Sequence, residues 1–352
     1  MRGLVYHGPA QTSWDTVPDP AIEEDTDAIV RVDATTVCGS DLHIRRGDLP
    51  EVAPGTILGH EAVGEVVEIG RGVHNRRPGH QVIVSSVSAC GRCPMCRASM
   101  YGQCHGGGGW ILGNMINGTQ AEFVRVPFAD SSTHRRPPSL PLGDAVLLAE
   151  LLPTAYEVGV RNGHVGPGDT VVVVGAGPVG LAAVVIARLY SPRRIIAVDL
   201  SSFRLEAAAR LGADAAELPG RLIADLSEGP GADVVIEAAG DPESFVLSTR
   251  VVRAGGHIAN IGMPGSPATL HLEALWRKNL TISTGQVDTF STPWLLDLVT
   301  FGRISVSPLI THTFDLDRME DAYEVFSRGP ETGALKVMLY REAKPPPRQP
   351  YL

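Results

Sequence analysis

Val171 to Gly180 reads VVVVGAGPVG, a run of four valines entering a turn with glycines at 175, 177 and 180. Four β-branched residues in a row suit a strand buried on both faces. The apolar stretch that follows, GLAAVVIARLY over 180–190, suits a helix packed on that strand. In such a turn the first glycine permits the sharp bend, the second lets backbone approach a pyrophosphate, and the third lets helix and strand close up, while the helix start presents N–H donors to the phosphates. Glycine-rich turns also join strands to helices with no ligand, so the motif needs context. Nineteen residues after Gly180 a second apolar run, IIAVDL, carries Asp199 at its end, where a carboxylate accepts from ribose hydroxyls. A turn or capping aspartate is the other reading of Asp199 alone. Strand, glycine turn, helix, strand and acid in this order predict a dinucleotide site.

Around that site the pattern repeats. ADVVIEAAG (232–240) and GGHIANIGM (255–263) read as further buried strands and FRLEAAARLG (203–212) as a helix. Short apolar strands alternating with helices make an α/β, doubly wound parallel sheet. Before it, DAIVRVDATTV, EAVGEVVEIG, HQVIVSSV and AEFVRVP, separated by Gly, Pro and Asp turns, predict an all-β domain reaching to about Pro141. An apolar segment, LGDAVLLAELLPTAYEVGV (142–160), reads as a helix linking the two. The expected division is 1–153 for the β domain, 154–290 for the dinucleotide domain, and 291–352 returning to the first. In that last stretch STPWLLDLVTFGRI and DRMEDAYEVFSRG read as helices and ALKVMLY as a strand, and Pro345 to Pro350 as a loose tail.

The chain has 352 residues, 43% of them hydrophobic, enough for about two cores. Its 39 acidic and 30 basic side chains leave a formal charge of −9. The arginines come as separate pairs (45 and 46, 76 and 77, 135 and 136) with no basic stripe, which argues against nucleic acid as a partner. No apolar run approaches the roughly 20 residues of a membrane span, and the N-terminus has no signal core, so a cytoplasmic location is expected.

Four of the five cysteines, Cys90, Cys93, Cys96 and Cys104, follow C-x2-C-x2-C-x7-C. Four thiolates on one loop close a tetrahedral shell around zinc and leave no open position, so this lobe, about 88–106, reads as a structural site; four unrelated thiols, a redox pair and an iron–sulfur cluster are the other readings. The fifth, Cys38, stands in VCGSDLH, and His60 with Glu61 in LGHEAVG. Singly these are an apolar thiol, a turn histidine and a solvated acid. A thiolate, an imidazole and a carboxylate together suit an open, catalytic zinc.

CGSDLH, GHEAVGEVVEIG, the four-cysteine lobe, VVVVGAGPVG and ALKVMLY, in this order, resemble the zinc-containing alcohol dehydrogenases of the medium-chain dehydrogenase/reductase family along essentially the whole chain, with the closest pattern in secondary-alcohol and sorbitol-dehydrogenase-like members. The resemblance implies a GroES-like β domain, a Rossmann domain, an active site in the cleft between them, and a homo-oligomer, dimer or tetramer. It makes Cys38 and His60 zinc ligands, with Glu61 a carboxylate able to enter the shell. Glu150, four residues before the threonine of AELLPTAY, takes the remaining position; many relatives carry Cys or Asp there, and a helix-surface acid is the plain alternative. Two zinc ions per chain and NAD(H) follow, the dinucleotide being held by Gly175, Gly177, Pro178, Val179, Gly180, Asp199 and Arg204, with Thr154, Ile261 and Lys336 as further contacts. The reaction implied is hydride transfer between a small alcohol and its carbonyl product. Ser40 and His43 match the family's proton relay, Asp41 orients His60, and Trp110, after Gly106 to Gly109, lines the substrate pocket or packs in the core. A zinc-free reductase and a non-catalytic NAD-binding protein are the rival readings. A polyol or formaldehyde is an alternative substrate.

Overall fold

The computed structural model describes residues 1–220, 229 and 231–341; the expected tail at Pro345 to Pro350 lies outside them. The chain forms two compact units, Met1–Ala149 with Ile310–Leu352, and Glu150–Leu309.

Fifteen strands are present among the described residues. In the first unit they are β1 (Arg2–Gly8), β2 (Gln11–Thr16), β3 (Ala28–Val37), β4 (Ala62–Ile69), β5 (Gln81–Val84), β6 (Phe123–Val126) and β7 (Thr133–Arg135); in the second β8 (Thr170–Val174), β9 (Arg194–Val198), β10 (Ala215–Glu217), β11 (Ala232–Glu237), β12 (Val252–Asn260) and β13 (Thr281–Thr284); and the chain returns to the first with β14 (Ile310–Asp315) and β15 (Lys336–Tyr340).

The first unit is built on a seven-stranded sheet in the order β14-β15-β3-β4-β5-β7, with β6 also paired to β3. β3 is its spine and every partner it has is antiparallel. One core joins Leu4, Tyr6, Val37, Ile44 and Leu58 to Met319, Tyr323, Val337 and Leu339, which is why the C-terminal segment returns. Burying those last four side chains removes apolar surface that the segment could not hide alone. The expectation of an all-β domain needs one correction: Gly39–Arg46 is a helix, entered through Cys38 with Asp41 in its first turn and ended by Gly47 at φ 87°. The backbone N–H of Cys38 donates to the Asp41 carboxylate at 2.9 Å, and that local cap sets the start.

The second unit carries a six-stranded, all-parallel sheet in the order β10-β9-β8-β11-β12-β13. β8 is buried throughout, as the valine run requires. Helices Pro178–Ala187 and Ser202–Arg210 follow β8 and β9. β10 and β13, three and four residues long, were not among the expected strands.

Two expectations shift at the boundaries. The linking helix over 142–160 is broken into Leu142–Val146, Leu151–Thr154 and a wider helical turn over Ala155–Arg161. The Ala149 carbonyl accepts from Ser86 N at 3.0 Å and so belongs to the first unit, and Glu150 at φ −150° starts afresh. The helix Thr292–Thr300, expected in the returning segment, belongs to the second unit. Its approach is tied there by the buried Glu157, whose carboxylate accepts from Asp288 N, Thr289 N and Ser291 N at 2.8–3.0 Å and from Ser291 Oγ at 2.5 Å. A carboxylate with four donors replaces the hydration it lost on burial.

Candidate active site

Cys38 ends the loop after β3 and starts the helix Gly39–Arg46; His60 and Glu61 lie just before β4, which pairs with β3. Adjacent strand ends thus bring three residues, 22 or 23 apart in sequence, to one place. Glu150 is the first residue of the second unit, next in the chain to Ala149. One ligand atom from each of Cys38, His60, Glu61 and Glu150 lies within 4.8 Å of the others.

The surroundings are anionic and dry. His60, Glu61 and Asp41 are buried, at 3%, 1% and 1% exposure. His60 Nδ1 is 3.4 Å from Asp41 Oδ1. Asp41 Oδ2 is held by Cys38 N and by Gln120 Nε2 at 3.0 Å, and Tyr323 Oη donates to Gln120 Oε1 at 2.8 Å. Asp41 is thus the charged neighbour of His60, and a chain from Tyr323 through Gln120 holds Asp41 in turn. Gln120 and Tyr323 were not legible in the sequence, being 79 and 282 residues from Asp41 in plain-looking segments.

Burial works to lower the pKa of His60, but the charge and hydrogen bonds of Asp41 and Cys38 outweigh it and hold it well above the usual histidine value. The site wants positive charge. Glu61 finds part of it in Lys336, whose ammonium reaches Glu61 Oε2 at 2.5 Å, with Thr36 Oγ1 donating to the same oxygen. Lys336 was expected at the cofactor; instead it is 1% exposed and committed to Glu61, because β15 pairs antiparallel with β3 and lays its first residue beside the site. One lysine against a thiol and three carboxyls is a donor set that a dication completes, and thiolate, imidazole and carboxylate oxygen are zinc's ligand types.

Ser40 Oγ is 3.5 Å from His60 Nε2, and His43 Nδ1 lies 2.8 Å from Asp48 Oδ2 and 2.9 Å from Arg46 Nη2. The His60 and Trp110 rings meet edge to face at 5.5 Å. Trp110 is half-buried and packs on the first core, and its indole N–H has no acceptor among the described residues.

The four-cysteine loop is closed. The sulfurs of Cys90, Cys93, Cys96 and Cys104 lie within 4.8 Å of one another, and Cys90 to Cys96 is 3.9 Å. That is far beyond a disulfide bond of about 2.05 Å and close to the roughly 3.8 Å edge of a tetrahedron with zinc–sulfur bonds of about 2.3 Å. Backbone amides point at the sulfurs, Cys96 N to Cys93 at 3.4 Å, Cys90 N to Cys104 at 3.4 Å and Gly106 N to Cys104 at 3.3 Å. The Cys96 amide above all lowers the Cys93 thiol to about 6, while burial pushes Cys96 up to about 12.

In the second unit Gly175 sits at φ 96°, and a Cβ there would lie 2.7 Å from Ala239 N. A Cβ on Gly180 would collide with the Gly175 carbonyl, whereas at Gly177 it would meet nothing nearer than Arg204 Nη1 at 4.0 Å, so the space a pyrophosphate needs is open. Pro178 and Val179 open the helix behind it. Asp199 directly follows β9, yet both its oxygens already accept backbone N–H groups, from Ala176 at 2.8 Å and Ser201 at 2.9 Å, with Arg204 Nη1 at 3.6 Å. Each oxygen keeps a lone pair for a further donor. Thr154 Oγ1 donates to Glu150 Oε1 at 3.0 Å, and Ile261 follows β12 with its N–H on the Glu237 carbonyl.

Residues 24–138 match the model of the alcohol dehydrogenase GroES-like domain and residues 178–299 that of the zinc-binding dehydrogenase. An alcohol dehydrogenase of Cupriavidus necator is 33% identical over 96% of this chain and 98% of its own length. Among solved structures, zinc dependent alcohol dehydrogenase 2 from Streptococcus pneumonia, in its apo form, superposes with a TM-score of 0.93 at 41% identity over 98% of this chain and 99% of that one. Alcohol dehydrogenase TADH from Thermus sp. ATN1 follows with 0.89 at 35%, over 97% and 100%. Motifs, geometry and relatives along nearly the full length agree, and the chain belongs to the zinc-containing alcohol dehydrogenases of the medium-chain dehydrogenase/reductase family.

Proposed function

We propose that this protein oxidises a small alcohol to its aldehyde or ketone, reversibly, with NAD⁺ as hydride acceptor, a catalytic zinc held by Cys38, His60 and Glu150, and a structural zinc held by the four cysteines. The observation that carries this reading is the convergence of Cys38, His60, Glu61 and Glu150 in a site short of positive charge. A zinc-free reductase has no use for such a set. When bound, zinc supplies a Lewis acid that polarises the alcohol oxygen, and the nicotinamide takes up the hydride. Asp41 holds the His60 ring in place. Glu61, with one oxygen on Lys336, stands ready as an exchangeable ligand. Incubating the purified protein with NAD⁺ and a panel of primary, secondary and polyol alcohols and formaldehyde, before and after chelation, tests the reading. Chelator-sensitive NADH formation with an alcohol supports it, and no turnover on the whole panel refutes it.

Ser40 and His43 form the proton path in this reading. The Ser40 hydroxyl lies beside His60, and the His43 ring is braced by Asp48 and Arg46 at the partly exposed end. His43→Ala should slow alcohol oxidation severalfold, most below neutral pH, with partial rescue by imidazole buffer. A pH profile superposing on the parent's removes His43 from the path.

NAD(H) is favoured over NADP(H) because Asp199 stands where a 2′-phosphate would go. A pair of unit charges about 4 Å apart interacts by roughly 1 kcal/mol in water and about 4 at an effective dielectric of 20, which corresponds to several-fold to nearly thousand-fold discrimination. Arg204 on Asp199 reduces this. Asp199→Gly should bring the two cofactors' kcat/KM values together; an unmutated protein that prefers NADP⁺ contradicts the assignment. The reduced thiols of both zinc sites call for a cytoplasmic setting, and we take the protein to be a homo-oligomer, dimer or tetramer. No described helix is long and apolar enough to cross a membrane. Light scattering giving a monomer mass would overturn the oligomer.

A further inference from the structure

Two of the arginine pairs that stand far apart in the sequence are brought together by the first unit's sheet. β5 pairs antiparallel with β7, with Val82 opposite Arg135 and Arg136 N on the Gln81 carbonyl. The turn before β5, which holds Arg76, Arg77 and His80, is pinned to β7 by Arg76, whose guanidinium donates to Thr133 Oγ1 at 2.7 Å, to the Thr133 carbonyl, and to the Asn75 carbonyl at 2.9 Å. Arg76 is thereby consumed as scaffold. Arg77 and Arg135 are not: both are exposed, and neither has an acidic partner among the described residues. Arg77 Nε donates to His80 Nε2 at 2.9 Å, while the buried His80 Nδ1 faces inward, so the ring lies behind Arg77 at the base of the patch.

The electrostatics around His80 come from one sign only. Its pKa is lowered first by burial and then by Arg135, Arg77 and Arg76, with no carboxylate opposing them. The nearest acid that acts on the cluster, Asp130, acts on Arg76 and has both oxygens taken by His74 N and Asn75 N at 2.8 Å. In a chain of net charge −9, three guanidinium groups and an imidazole gathered at one sheet end, with Asp130 offsetting Arg76, are a local inversion of sign. Such repulsion is maintained at a cost unless an anion relieves it. The net negative charge of the whole chain disfavours an extended polyanion, whose distant charges would meet acidic surface, and favours a compact one that fits within about a Debye length, roughly 8–10 Å.

We propose that Arg77, Arg135 and His80 form a surface site for a compact multivalent oxyanion, a short phosphate chain, separate from both zinc sites and from the glycine motif. Arg77 and Arg135 supply the charge and paired donors, and His80, hydrogen-bonded to Arg77, senses the bound charge. The probe is inorganic tripolyphosphate, added to the full-length protein labelled at histidine Cε1, with the His80 resonance assigned from its loss in His80→Gln. At low ionic strength the titration midpoint of His80 should rise by about half a unit or more on saturation, since an anion stabilises the charged ring. The double variant Arg77→Gln/Arg135→Gln, two exposed side chains without ion pairs, should bind at least about tenfold more weakly and lose the response. An equal shift with sodium chloride at matched ionic strength, or an undiminished response in the double variant, overturns the site.

Discussion

Cys38→Ser should lower kcat/KM for alcohol oxidation about a thousandfold or more, roughly 4 kcal/mol of transition-state stabilisation, while the melting temperature moves little. A serine hydroxyl stays protonated at neutral pH and cannot replace a thiolate as a soft anionic ligand, so the catalytic set loses a charge and a bond at once. The sulfur accepts the residue-41 backbone N–H at the helix start, but a serine hydroxyl caps that position at least as well. The helix Gly39–Arg46 is started by Asp41 accepting the residue-38 backbone N–H, and Asp41 is kept in place by Gln120 and Tyr323. Elemental analysis should fall from about two zinc ions per chain to about one. A variant with parental kcat/KM, or one that retains both ions and full turnover, would show that Cys38 is not a ligand.

Cys93→Ser should do the reverse in order: stability falls first, and activity follows only as far as folded protein is lost. Apparent binding energies of structural zinc in small peptides run to about 10–16 kcal/mol, and that energy counts toward folding because the unfolded chain has no formed site. Losing one of four ligands should cost about 3 kcal/mol or more, a drop of roughly 5–10 °C in melting temperature for units of this size. Cys93 is the apt position because its sulfur both belongs to the cluster and accepts the Cys96 N–H that starts the short helix Pro94–Arg97. Differential scanning calorimetry on this variant beside Cys38→Ser separates the two roles. If both variants lose stability and turnover to the same degree, the division between a structural and a catalytic site is wrong.

How much of this was legible in the chain depends on how local each signal is. The buried strand, the glycine turn and Asp199 lie within one strand-helix-strand unit, and the four cysteines lie within fifteen residues, so spacing alone determines what they can form. The fold class and the two groups of side chains able to hold a metal ion were accordingly in the sequence. The sequence had Lys336 as a cofactor contact, and the helix Thr292–Thr300 in the wrong unit, for the same reason: neither is set by its neighbours. The pairing of β15 with β3 carries Lys336 to Glu61 across 275 residues, and Glu157 ties the approach to that helix into the second unit across more than 130.

What the sequence determined by itself was therefore everything that periodicity and short spacing encode: strands, helices, the glycine turn and the cysteine cluster. What only the tertiary structure decided was which charges meet. Asp41, Gln120 and Tyr323 become one hydrogen-bonded chain behind His60, and Arg76, Arg77 and Arg135 become one patch, only because antiparallel pairing brings distant segments side by side. Electrostatic and hydrogen-bond energies depend on separation in space and on burial, and neither quantity is a function of separation along the chain.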